Sequence, residues 1–182
     1  MAAALARNNW VAMLLYGKLK QYDKVAEMYE QLHINQANYL LGYLDYGRIL
    51  QEAGQPKQAR EAWLEGARVG EAQAAKVENV RTRIWLGHLY AELGERNKAH
   101  EQITRVLAIE PDNAWVLHQT GEIYANLGDK RQAVSYLKQA NEHGWLEFQY
   151  YEALDKSLGD DSEYRAVRGA LQKKVDDLRA QY

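Results

Sequence analysis

Small and apolar positions recur along this chain at helical spacing. Three segments align at once: Tyr46-Gly47-Arg48-Ile49-Leu50, Leu86-Gly87-His88-Leu89-Tyr90 and Thr120-Gly121-Glu122-Ile123-Tyr124. Seven residues after each glycine stands a second one: Gly54, Gly94 and Gly128. Twelve residues after each stands an alanine, Ala59, Ala99 or Ala133, and four further on a large apolar residue, Trp63, Ile103 or Leu137. The pattern predicts paired helices. The first glycine and the alanine fall where the two helices touch, and small side chains there let the backbones approach. The second glycine ends the first helix in the left-handed conformation that other residues resist. Polar turns follow at Gly94-Glu95-Arg96-Asn97 and Gly128-Asp129-Lys130-Arg131. Pro56 suits the first turn of a helix, and Pro111-Asp112-Asn113 marks a break between pairs. Trp63, Tyr90, Tyr124 and Leu137 are expected to fill the space between successive pairs, because one pair cannot bury this face alone.

The spacing also dates the departures. Gly87 to Gly121 is 34 residues, whereas Gly47 to Gly87 is 40, so six residues are inserted before the later pair. Glu71 to Asn79 is helix-forming in composition. We expect Gly70 to end one helix and the insert to lengthen the next at its N-terminal end, with a longer ordered loop as the alternative. Counting back 34 from Gly47 reaches Met13, in a degenerate first unit that keeps Tyr16, Val25 and Tyr29 but lacks the paired glycines and the small alanine. The units are therefore 6–39, 40–79, 80–113 and 114–147 within a single domain, 1–182. After Trp145 the pattern stops. Phe148 to Leu158 reads as a helix, Gly159-Asp160-Asp161-Ser162 closes it, and Ser162 is a plausible cap for a last helix, Arg165 to Gln181. Val167, Leu171, Val175 and Leu178 form its apolar stripe, so 148–182 reads as a pair of capping helices.

These positions resemble the tetratricopeptide pattern of Trp-x2-Leu-Gly-x2-Tyr, then Ala-x3-Phe, then Pro. The unit at 80–113 fits it best, with Leu86, Gly87, Tyr90, Ala99, Ile103 and Pro111. The resemblance covers roughly four-fifths of the chain. It implies an all-α fold, a right-handed superhelical solenoid of about four helical hairpins plus C-terminal helices. It also implies a function in binding another protein or peptide along a concave groove, as an adaptor or scaffold and not an enzyme. The tail Leu158-Gly159-Asp160-Asp161-Ser162-Glu163-Tyr164 is similar to the segment that closes many bacterial repeat domains in regulatory proteins.

In such a fold the first helix of each hairpin lines the groove. The register points to Leu44, Asp45, Arg48 and Glu52, then Arg81, Ile84, Trp85, His88 and Glu92, then Trp115, His118, Gln119, Glu122 and Asn126. From these the candidate binding set is Arg48, Arg81, Trp85, His88, Trp115, His118, Gln119 and Glu122. Trp85 and Trp115 stand beside packing positions already filled by Leu86, Tyr90, Leu117 and Tyr124. They are read either as groove aromatics or as residues packed on neighbouring helices, with Arg48 and Arg81 meeting acidic groups of a partner. The clamp that some co-chaperones of this family use for a C-terminal carboxylate is missing: Trp10 and Leu14, or Leu44 and Arg48, stand where Lys and Asn are wanted.

Composition narrows the chemistry. With 23 basic and 25 acidic residues and a net charge of -2, the chain offers no basic field for nucleic acid. It has no cysteine, hence no thiolate metal site or thiol nucleophile. The longest early apolar run, Val11 to Tyr16, is far short of the ~20 residues of a membrane span, so no direct membrane insertion is expected. The expected compartment is the cytoplasm, or the periplasm if an upstream signal has been removed. No phosphate loop or serine elbow is present, and no catalytic residue or cofactor is assigned. His88, Glu92, His118 and Glu122 form His-x3-Glu pairs, read as solvated helix faces and not as a metal site, and His33, His100 and His143 are read as exposed. Two alternatives to the adaptor stay open. One is self-assembly, through Trp10, Met13, Leu14 and Leu15 of the degenerate first unit. The other is a regulatory C-terminal domain of a larger bacterial signalling or transcription protein.

Overall fold

The computed structural model describes residues 2–36, 39–147 and 151–180. The described residues form ten α-helices and no strand. They divide into two compact units, 1–93 and 94–182, with the division at Leu93–Gly94.

The first unit holds α1 (Ala2–Lys18), α2 (Tyr22–Gln36), α3 (Leu40–Glu52), α4 (Pro56–Ala74) and α5 (Val80–Glu92). Helices α1 and α2 form one hairpin and α3 and α4 the next, with α5 packed on both α3 and α4. Glycine sets how closely α3 and α4 approach. The indole of Trp63 lies where a Cβ on Gly47 would stand, and its Nε1 donates to the Leu44 carbonyl oxygen at 3.1 Å. A side chain on Gly66 would meet Tyr43 at 2.6 Å.

Gly70 does not end a helix. Helix α4 runs through it to Ala74, and the six-residue insert extends α4 at its C-terminal end and forms the loop before α5. The physical reason is packing. A Cβ on Gly70 would stand 2.7 Å from Leu86 of α5 and 3.1 Å from Leu40 of α3, so this glycine admits two neighbours instead of a turn. Helix α5 begins at Asn79, whose side chain accepts from the Thr82 N–H at 3.0 Å.

The stop glycines behave as their spacing predicts. Gly54, Gly94 and Gly128 all have positive φ, between 75° and 76°. At Gly54 the N–H of Gln55 returns to the Leu50 carbonyl (2.9 Å) and that of Gly54 to Gln51 (3.1 Å), which satisfies carbonyls the helix end leaves open. The degenerate first hairpin keeps the same turn without glycine. Lys20, seven residues after Met13, takes φ 56°, with Gln21 returning to Tyr16 and Lys20 to Gly17, both at 2.9 Å.

The second unit holds α6 (Arg96–Ile109), α7 (Ala114–Asn126), α8 (Lys130–Glu142), α9 (Tyr151–Leu158) and α10 (Ser162–Arg179). Helices α7 and α8 form its hairpin. Helix α6 packs on α7, α9 on α7 and α10 on α8. A Cβ on Gly121 would meet Leu137 at 2.8 Å, which confirms the glycine as the close contact of that hairpin. Asn113 caps α7 through the N–H groups of Trp115 (3.0 Å) and Val116 (3.2 Å). Asp161, not Ser162, caps α10, accepting from the Tyr164 N–H at 3.0 Å. A carboxylate suits the positive helix N-terminus, and Ser162 becomes the first helical residue. The expected starts and ends at Phe148 and Gln181 lie outside the described residues. One core joins Leu117, Leu137, Trp145, Leu158, Tyr164 and Leu171, so both terminal helices share the hairpin's interior.

Candidate functional site

The candidate residues divide between the units, with Arg48, Arg81, Trp85 and His88 in the first and Trp115, His118, Gln119 and Glu122 in the second.

In the first unit α1, α3 and α5 are neighbours, and their facing turns carry polar and aromatic groups. Arg48 is already engaged within the chain: its Nε donates to Glu92 Oε1 at 2.6 Å, and its Nη1 stands 3.9 Å from Asp45 Oδ1. Two carboxylates of this chain flank the guanidinium, whose side chain remains 40 % exposed. Asp45 also accepts a hydrogen bond from Trp10 Nε1 at 2.9 Å. Burial pushes the Asp45 carboxyl up from its ordinary range and Glu92 adds to this, while Arg48 and the Trp10 hydrogen bond oppose it. Trp10 thus belongs to this face, as its register position beside Leu14 implies. Its ring meets Tyr39 edge-on at 6.2 Å.

Arg81 and Trp85 meet in a cleft of about 180 Å³ between the starts of α3 and α5, with Tyr39 and Leu41 on the other wall. Arg81 is exposed and Trp85 half-buried. His88 lies on the same helix, its ring 5.7 Å from that of Trp85, but it is buried at 1 % exposure.

In the second unit the corresponding turns are closed. His118 has no exposed surface and stacks on Trp145 at 4.4 Å, with 24° between the rings. Burial lowers its pKa to about 3, so the ring is neutral. Gln119, also buried, donates from Nε2 to Glu122 Oε2 at 2.9 Å and lies 3.4 Å from His118 Nδ1. Trp115 is half-buried and packs against the core that contains Trp145. The register therefore names the helix face, but His118 and Gln119 are interior residues, and the solvated-face reading of His88 and His118 is overturned. His33 and His100 are half-buried too. His33 lies between Tyr29, tilted at 4.3 Å, and Tyr43, edge-on at 4.4 Å, and burial lowers its pKa, while His100 meets Tyr124 at 5.4 Å. Among the described residues no group of three or more His, Asp or Glu side chains is placed to hold a metal. No described helix is long and apolar enough to cross a membrane.

Sequence reasoning missed Trp10, Glu92 and Trp145 as partners of these residues. For Glu92 a signal exists: it stands 44 residues after Arg48, the local 40-residue repeat plus one helical turn. For Trp145 there is none, because it lies past the second helix of the last unit, where the repeat pattern has no position.

The tetratricopeptide repeat family matches residues 80–113 and 116–142. The BBSome complex member BBS4 of Bos taurus is 28% identical over 142 residues, 75% of this chain. The chain spans about a quarter of that relative's length, 26%. Among solved structures, MamA MSR-1 is 18% identical with a TM-score of 0.46, covering 98% of each chain. MamA from Desulfovibrio magneticus RS-1 is 12% identical with a TM-score of 0.44, covering 97% of this chain and 96% of that one. With its all-α hairpins and left-handed glycine stops, the chain is similar to the tetratricopeptide repeat family over the two matched stretches, 80–113 and 116–142.

Proposed function

We propose that the face formed by α1, α3 and α5 docks a peptide or surface segment of a partner protein. The observation that carries this reading is the cleft that brings Arg81 and Trp85 together beside Leu41 and Tyr39. Tryptophan and arginine are among the residue types that dominate binding energy, and here a half-buried Trp85 stands beside an exposed Arg81. Next to it, Trp10, Asp45, Arg48 and Glu92 hold one another in place, so little side-chain freedom is lost when a partner lands there. Trp115 and Glu122 remain candidates in the second unit, through their part-exposed surface. His88, His118 and Gln119 act in this reading from behind, as packing.

The test is recovery of partners from the source cell by the full chain, with Trp85→Ala and Trp85→Ala/Trp115→Ala in parallel. The reading expects proteins that the wild type retains and both variants lose, with helical content and melting curve preserved. Equal recovery by a folded double variant would end it.

A second reading, self-assembly, rests on a different observation. Val11 and Leu15 of α1, with Leu19 just after it, follow at four-residue spacing and are each more than half exposed. Light scattering at several concentrations decides it: a mass that rises with concentration, and that Leu15→Glu returns to the monomer, supports assembly, and a constant monomer removes it.

A further inference from the structure

The second unit contains a larger concavity that none of the residues above uses. It runs between α8 and α10 and encloses about 880 Å³. Its floor is apolar and belongs to the core: Val134, Val167 and Leu171 are all buried. Above the floor the walls are small, with Ser135 on α8 and Ala166 and Ala170 on α10, all exposed. One end is tied shut, where Asn141 Nδ2 donates to the Val167 carbonyl oxygen (3.2 Å) and Lys174 Nζ to that of Asn141 (3.3 Å). From Arg131 to Glu142 a helix rises about 16 Å, the length of three turns. Past that end the apolar stripe of α10 continues to the partly exposed Leu178.

Charge indicates what would fit. The whole chain has a net charge of -2, yet both walls are basic. Helix α8 carries three basic residues and one acidic, and α10 five basic and three acidic. Arg131, Lys138 and Lys174 line the rim. The acidic rim residues are Glu142, whose Oε1 is 4.0 Å from Lys138, and Glu163. A positive rim over an apolar floor disfavours a basic occupant and favours an acidic one.

We propose that the α8–α10 groove receives an amphipathic helix of a partner protein, with large apolar side chains at three- and four-residue spacing and acidic flanks. The small wall residues let the incoming backbone come close, and its large side chains reach Val134, Val167 and Leu171. Affinity then comes from apolar burial, and orientation from the lysines and Arg131.

Fluorescence anisotropy with the full chain tests this, using three labelled model peptides of about four helical turns. One is amphipathic and acidic, one has the same apolar residues with basic flanks, and one has the acidic composition with its apolar spacing scrambled. The acidic amphipathic peptide is expected to bind at least about tenfold more tightly than the other two. Ala170→Trp and, independently, Ser135→Trp fill the groove from exposed positions on opposite walls. Each is expected to weaken that binding about tenfold or more with an unchanged melting curve. Lys138→Glu should weaken it several-fold and flatten its salt dependence. The proposal is overturned if the basic peptide binds as tightly, if no peptide binds, or if a folded groove-filling variant binds like wild type. Concentration-dependent self-association that Ala170→Trp abolishes would also overturn it, because the occupant would then be a second copy.

Discussion

The same helix face ends differently in the two units. In the first, Arg48 stands 40 residues before His88 and stays part-exposed between Asp45 and Glu92, while Arg81 and Trp85 border an open cleft. In the second, Gln119, 34 residues after Trp85, is sealed in, and beside it His118, 34 residues after the equally buried Ile84, has no exposed surface. The difference lies in the chain after α8, which returns Trp145 onto His118 and adds α9 and α10 to the same core. A repeat register determines which face of a helix looks inward along a stack. What later chain lies on that face decides whether a residue there binds a partner or becomes core.

Removing the seal should have the largest effect. Trp145→Ala takes away the ring stacked on His118 and opens the core it completes, at a cost of about 3–5 kcal/mol. Urea titration should show the loss as a lower midpoint. A shift under ~1 kcal/mol would mean that Trp145 covers His118 without supporting it.

Acid should separate the units next. His118 binds its proton at about 3 in the folded chain, well below its ordinary value. Between these values the unfolded chain takes up a proton that the native one refuses, so stability is full above pH 6.5 and falls as pH falls toward 3. From pH 7 to pH 5 the loss from this group is about 2 kcal/mol. His118→Phe should reduce the pH dependence of the urea midpoint by that amount, and an unchanged dependence would show that the ring is wet.

The smallest effect is expected on the open face. Arg48→Met removes the pair with Glu92, but a guanidinium 40 % exposed is screened by water, so the loss should stay below about 1 kcal/mol. A loss as large as that of Trp145→Ala would mean that the first unit is held together by its groove residues, and the contrast between the units would fail.

The hairpins could be read in the sequence because their signals are local. Glycines forced to positive φ at 54, 94 and 128, and glycines under Trp63 and Leu137, depend only on residues within one hairpin. The insert was harder, since glycine has two uses. Gly70 was read as a stop, but Gly66 and Gly70 share a face at four-residue spacing, which is the mark of close packing against Tyr43, Leu40 and Leu86. Lys20 shows the converse, a turn kept without its usual residue. The site was legible only as a face. Which side chains cover that face, Trp10 on Asp45 and Trp145 on His118, is set by contacts that the repeat spacing does not specify.

The central claim is that the α1–α3–α5 face docks a partner protein at the Arg81–Trp85 cleft. Its most direct test is a photo-crosslinking amino acid placed at Leu41, on the cleft wall, in the source cell. The account predicts crosslinks to a discrete partner protein that disappear when Trp85→Ala is added to the same chain. Crosslinks unaffected by Trp85→Ala, or none at Leu41 while an outward position such as Arg60 crosslinks readily, would contradict it.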